Sequence, residues 1–294
     1  MPGENVPHLD EARYGSGILA RSPASFSSLA HALVEFAEAR VSLLVIRGGD
    51  GTVRDVVTCA DAIFGGAMPP IAVLPFGKTN ALAHDLGIPT DWTVGDAEFA
   101  ASQDRFTTRA PIEILRSRSI APDLRGFLFG AGAFVRATAL AQCTHRAGAF
   151  RGLAVGLSLA WALAQTAFGG DAASWRAGKR MRVRTAQGLD FERDFYLLFA
   201  STLERLPLGV KPFADAEHGL NILAVDAHPR RFAVAAPALL AGAKPGWLER
   251  CGYHRRHPDS FSLTMDEGFI LDGELYAGGE FTVRSGQPLR FVVP

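Results

Sequence analysis

The sequence predicts an α/β N-terminal domain with an open, mainly parallel sheet, followed by a mostly antiparallel β-sandwich domain. Three observations point there. Two strand–glycine loop–helix units follow one another within residues 41–88. After Arg109 the pattern changes to short strands separated by turn residues. Finally, 48% hydrophobic residues over 294 positions suffice for a sizeable core. The boundary falls at the change of pattern, which divides the chain into residues 1–108 and 109–294.

In order along the chain, Gly17–Ala20 (GILA) reads as a short strand. Ser25 can cap a helix whose apolar residues Leu29, Leu33, Phe36 and Ala37 recur at helical spacing. Val41–Ile46 is a continuous apolar run, as expected of a parallel strand covered on both faces. It ends in RGGDGT, and a helix follows from Val53 to Phe64. The run Ile71–Phe76 repeats the arrangement, ending in GKTN before the short helical stretch ALAHDL and its stop GIP. Such sheets bind ligands at the carboxyl ends of their strands, where these two loops lie. Beyond Arg109, the segments PIEILR, GFLFGAG, MRVRTA, FYLLFAST, LNILAVDA, FSLTMD, GFILDGE, GEFTVRS and LRFVVP read as strands, with helical patterns at about 150–168 and 229–242. The uncharged run from Gly152 to Gly170 approaches membrane-span length. Its glycines and its Ser158, Gln165 and Thr166 favour a buried or interfacial helix.

Charge narrows the function classes. Thirty Lys+Arg against thirty Asp+Glu give no net charge, which argues against a nucleic-acid partner held by a broad basic face. Three scattered cysteines, without Cys-x-x-Cys, fit a reducing compartment and neither a disulfide framework nor a zinc site. The first residues carry no signal-peptide pattern, so the expected location is cytoplasmic. His8, His31, His145 and His218 have no partners at metal-ligand spacing.

The segment Gly48-Gly49-Asp50-Gly51-Thr52 is the sharpest signal. Glycines let the backbone approach a ligand, and the loop opens onto a helix N-terminus that favours phosphate. Thr52 adds a hydroxyl, and Asp50 offers a carboxylate for Mg²⁺ or for orienting a phosphate. In the second loop Gly77 frees the backbone, while Lys78, Thr79 and Asn80 offer donors to an anion or nucleoside. An ordinary loop explains that segment equally well. Asp272-Gly273-Glu274 reads either as a plain β-turn or, if it folds back to the phosphate loop, as an acid set. In the second case Glu274 accepts a hydroxyl proton and Asp272 assists with metal.

Taken together, GGDGT after a strand, a P-x-G-x-x-N loop after the next, LGIP closing that helix and a late DGE resemble the diacylglycerol kinase catalytic family, which includes sphingosine, ceramide and bacterial lipid kinases. The resemblance runs from about residue 29 to the end. It implies a nucleotide-binding N-terminal domain, a β-rich lipid-substrate domain, ATP between them, and Mg²⁺-dependent γ-phosphoryl transfer to a lipid hydroxyl. By position, Gly48, Gly49, Asp50, Gly51 and Thr52 would serve phosphate and nucleotide, Gly77 and Asn80 would line the cleft, and Glu274 would be the general base. Glu113, in the strand after the first domain, would stand where the family tends to place an acid for metal. The alternatives are an NAD kinase-like enzyme, which also uses GGDGT, and a catalytically degenerate lipid- or nucleotide-binding member.

Three departures accompany the resemblance. Lys78, Ala81 and His84 replace the usual Thr, Asp and Arg of the second loop; Glu113 has an uncertain register; and no N-P-x-S-G segment precedes Gly17. The substrate class implies peripheral membrane contact, for which the basic stretch 175–184 and His254-Arg255-Arg256-His257 are candidates. Self-association is left open.

Overall fold

Two hydrogen-bonded sheets, sharing one chain that leaves the first and returns to it, form the protein. The computed structural model describes residues 17–116, 119, 121–146, 176–185, 190–216 and 218–294. The expected helix at 152–170 therefore lies outside the described residues, as do His8 and the side chain of His145.

Helix α1 (Phe26–Glu38) starts at the expected Ser25, whose hydroxyl accepts from the Ser28 amide while Ser28 returns the bond. Strand β1 (Leu44–Gly48) leads directly into α2 (Asp50–Phe64). That helix begins three residues earlier than the apolar periodicity suggests, so Asp50, Gly51 and Thr52 form its first turn. Strand β2 (Ile71–Pro75) lies parallel to β1, with Leu44 opposite Ile71 and Gly48 opposite Pro75. Helix α3 (Ala81–Asp85) follows the second loop, and α4 (Val94–Ser102) follows with a Thr93/Asp96 capping box.

GILA forms no strand. Residues 18–24 lack regular structure and Ile18 and Leu19 are exposed. Four apolar residues followed by Arg21, Ser22 and Pro23 have neither the burial nor the run of amides that a ladder needs.

Strand β3 (Phe106–Arg109) completes the N-terminal stretch, yet it does not pair with β1 or β2. Between β2 and β3 sits β15 (Leu289–Val292), the LRFVV segment near the C-terminus. It runs parallel to β2 and antiparallel to β3, so the four-stranded sheet β1-β2-β15-β3 is mixed. One face packs Ile71, Val73 and Phe291 into the main core with α2 and α3. The other packs Ala72 and Val292 beneath Ala97 and Ala100 of α4.

The second sheet is antiparallel, as expected, and curled, with eleven strands among the described residues. It contains β4 (Ile112–Arg116), β5 (Leu124–Gly126), β6 (Leu128–Gly132), β7 (Lys179–Thr185), β8 (Asp190–Ser201), β9 (Asn221–Asp226), β10 (Tyr253–Arg256), β11 (Ser260–Met265), β12 (Phe269–Leu271), β13 (Glu274–Tyr276) and β14 (Gly279–Ser285). Helix α5 (Ala133–Arg146) follows β6, and α6 (Phe232–Leu240) falls where the pattern at 229–242 puts it. Phe129, Phe261, Phe269 and Phe281 are buried together in the curl, with ring centroids 4.7–6.5 Å apart among their contacts. The main core joins β1, β2, α2 and α3 to Phe127, Tyr196, Phe232 and Phe291, so α2 is wedged between the sheets.

Candidate active site

The two glycine loops touch backbone to backbone. A Cβ on Gly49 would lie 2.7 Å from Gly77 Cα, inside any tolerable contact, and a Cβ on Gly77 would meet Gly49 in return. Only glycine at both positions permits this approach. The Phe76 amide donates to Gly48 O at 3.0 Å, fixing the second loop on the end of β1. Asn80 sits in the left-handed region at φ 49 and starts α3. Its side chain closes a ring with Gly77: the Gly77 amide donates to Oδ1 at 2.8 Å and Nδ2 donates to Gly77 O at 3.0 Å. The Asn80 amide therefore shapes the loop, whereas Lys78 and Thr79 stand exposed at its tip.

Asp50 occupies the first turn of α2, and its Oδ1 accepts from the Leu82 amide at 3.2 Å. One carboxylate thus joins the starts of two helices. Burial raises its pKa, while the amides of Ala81, Leu82, Asp50 itself and Asn80 pull it back. The first-turn amides of α2 have no helical acceptors, the usual basis of phosphate binding. Gly48, Gly49, Thr52, Gly77 and Lys78 line a groove of about 1830 Å³ that continues along β1 and α1. At its rim the Arg47 guanidinium lies 3.9 Å from the Phe76 ring centre. Asp272 and Glu274 do not line this groove.

Asp272 and Gly273 form the two-residue loop of the β12–β13 hairpin, with φ 45 and 83 and Leu271 opposite Glu274. Both positive angles mark the hairpin turn that Asp-Gly favours. The turn is also more than a turn. Asp272 points inward, is 8% exposed, and accepts from the amides of Phe127 (3.0 Å to Oδ2) and Leu128 (2.9 Å to Oδ1). Gly126 leaves the space for that carboxylate, since a side chain there would collide with it. Burial, and next the charge of Asp50, push the Asp272 carboxyl up to about 8, against the pull of the Leu128 and Phe127 amides and of Arg54. The Asp-Gly-Glu turn therefore lies against α2, whose Arg54 reaches Leu271 O and whose Asp50 charge acts on Asp272. Glu274 is exposed beside it.

Glu113 lies elsewhere in the charge map. It is 2% exposed, and Oε1 accepts from Arg125 Nε and Nη2 at 3.0 and 2.7 Å while Oε2 accepts from Arg284 Nε at 2.7 Å. Arg125 also pairs with Asp61 of α2. Both oxygens are taken by guanidinium groups, so Glu113 ties β4, β5 and β14 together and leaves the metal set expected for it. The segment after the second loop shows a related device. Ala81 lacks an acid, but Asp85 in the same helix is buried, with Arg109 Nε at 2.6 Å and the amides of Glu204 and Arg205 at 2.9 and 2.6 Å.

Arg54, missed by the motif reading, is 7% exposed and reaches from α2 to the Leu271 carbonyl at 3.2 Å. Its spacing was a usable signal: it lies one helical turn beyond Asp50, among the buried Val53, Val56 and Val57. The basic stretches are largely neutralised. Lys179 pairs with Glu267, Arg180 with Glu192 at 3.1 Å, and Arg256 with Glu249 at 2.5 Å, while His254 lies between Asp226 and Glu249. Trp175 lies outside the described residues. Among the described residues, no three His, Cys, Asp or Glu side chains form a metal cluster and no helix is long and apolar enough to cross a membrane.

Comparison with known proteins agrees with this geometry. No curated protein matches the sequence. Among solved structures, a diacylglycerol kinase from Bacillus anthracis str. Sterne is similar at 13% identity and TM-score 0.59, covering 92% of this chain and 83% of that one. A candidate diacylglycerol kinase from the same organism gives 15%, 0.66, 92% and 84%. These likenesses concern the fold. At the sequence level residues 8–108 match the family described as "Diacylglycerol kinase catalytic domain". That stretch holds both touching glycine loops and Asp50, and it is over this stretch that the chain is similar to the family.

Proposed function

We propose that the protein is an ATP-dependent lipid kinase that transfers the γ-phosphoryl group of ATP to the hydroxyl of a diacylglycerol-like lipid. The observation that carries this reading is the seating of the Asp272 turn of the antiparallel sheet on α2, the glycine-loop helix that bears Asp50, through the Arg54 bond to Leu271 O. In this reading the Gly48–Thr52 turn and Gly77 cradle phosphates through backbone amides, Lys78 adds a point charge at the loop tip, and Thr79 offers a hydroxyl. The donor set fits a divalent cation: burial raises both carboxyls, and the charge of Asp50 raises Asp272 further. Asp50 and Asp272 would hold Mg²⁺, which supplies charge neutralisation on the phosphates when bound. Exposed Glu274, next in the turn, accepts the lipid hydroxyl proton as the oxygen–phosphorus bond forms and the bond from the γ-phosphorus to the leaving oxygen of ADP breaks. The remaining work is positioning, which the touching loops supply.

Purified protein given ATP, Mg²⁺ and diacylglycerol in mixed micelles is expected to produce lipid phosphate and ADP, and Asp50→Ala to abolish turnover. Unchanged turnover in that variant would overturn the assignment. Phosphorylation of NAD without response to lipid would move the protein to the NAD kinase-like reading, and ligand binding without transfer would make it a degenerate member.

A further inference from the structure

Arg54 has partners that no motif explains. Its guanidinium holds Asp55 Oδ1 through Nε and Nη2 at 3.0 and 2.7 Å, and Nη1 donates to Leu271 O at 3.2 Å. It also lies 5.6 Å from the centre of the Tyr276 ring. Leu271 ends β12 and Tyr276 ends β13. One side chain on α2 therefore touches both legs of the hairpin whose tip is Asp272–Gly273. Asp55 is 44% exposed and orients the guanidinium from outside, while Arg54 itself is almost wholly covered. Burying an arginine is costly unless its donors are used, and here three of them are.

We propose that Arg54 is a positioning residue that latches the Asp272–Gly273 turn onto α2 and so keeps Asp272 against Asp50. This rests on the phosphotransferase reading for its purpose, but the latch has a signature of its own. A cation near two carboxylates repels a divalent cation, so charge alone predicts that removing Arg54 tightens Mg²⁺ binding. A latch predicts the reverse, because the two acids lose their fixed spacing.

The test uses the full chain as wild type, Arg54→Met and Arg54→Lys. Amide hydrogen exchange at Phe127 and Leu128, whose N–H groups bond to Asp272, is measured without metal, with the amides of β1 as reference. Mg²⁺ affinity is measured by calorimetry without nucleotide. Arg54→Met is expected to speed exchange at Phe127 and Leu128 relative to β1 and to weaken Mg²⁺ binding by about tenfold, the usual loss when a supporting partner of a metal ligand is removed. Arg54→Lys, which keeps charge but loses the fork, is expected to fall between. Unchanged exchange, or tighter Mg²⁺ binding in Arg54→Met, overturns the latch. If Arg54→Met does not fold, Asp55→Asn removes the acceptor that orients the guanidinium and is expected to shift both readouts the same way by a smaller factor; no shift overturns the proposal. Wild type that binds no Mg²⁺ would count against the phosphotransferase reading, while the exchange data would still decide the latch.

Discussion

Glu113 and Asp272 are both buried carboxylates of the antiparallel sheet, yet their surroundings are opposite. Glu113 receives three N–H donors from Arg125 and Arg284, and Arg125 passes the connection on to Asp61 of α2. Asp272 receives backbone amides and faces a second acid, so its carboxyl is pushed up to about 8. A buried acid supplied with cations acts as a strut. One supplied with another acid is a place where a further positive charge would be welcome, as a proton or a metal ion. The contrast separates framework from candidate chemistry more sharply than burial does.

The strut is expected to be the more costly to break. Glu113→Ala leaves Arg125 buried beside an empty site and should cost about 3–5 kcal/mol in denaturant unfolding, with turnover per folded molecule retained. Asp272 should show the opposite pH behaviour from a salt-bridged acid. Its native pKa is raised, so the native fold holds the proton more tightly than the unfolded chain. Its contribution to stability is full below about pH 4, declines as pH rises, and is lost above about 8. Without divalent cation, Asp272→Asn should remove that decline, whose slope is at most about 1.4 kcal/mol per pH unit, as read from melting curves across pH. Mg²⁺ binding at pH 7 should correspondingly release up to about one proton, seen as a binding heat that varies with buffer ionisation enthalpy; Glu113→Gln should leave that release in place.

Smaller effects mark the edges of the comparison. Gly77→Ala forces the touching loops apart and should cost about 1–3 kcal/mol, with a larger loss of ATP binding measured by titration than of folding. Ser25→Ala removes an exposed helix cap that bonds neither acid; it should cost about 1 kcal/mol and leave turnover unchanged.

What could be read from the sequence follows the distance over which each feature is decided. The glycine loop was legible because the strand, the turn and the helix that use it are contiguous from Leu44 to Phe64. The turn at Asp272 was legible as a turn, but the inward side chain depends on Gly126, Phe127 and Leu128, which local pattern does not connect to it. Glu113 reads as an acid for metal because sequence does not connect it to Arg125 and Arg284, either of which alone reads as a surface cation. The role of Arg54 has no local sign because its acceptor, Leu271 O, lies more than two hundred residues away on the antiparallel sheet. The Thr93-x-x-Asp96 capping box marks the start of α4 locally, whereas LRFVV carries no local mark of the sheet it joins.

That late strand has a consequence for how the protein is made. The N-terminal sheet has β15 at its centre, between β2 and β3, so it cannot close before residues 289–292 have been synthesised. The glycine loops must wait through synthesis of the entire antiparallel domain before the strand beside β2 arrives. With synthesis running at roughly 5–20 residues per second, the stretch between β3 and β15 leaves the first sheet with an open slot for roughly 10–40 s. Residues 1–108 expressed alone should keep that slot, an aggregation-prone gap between two strand edges, which a synthetic peptide spanning residues 286–294 should fill.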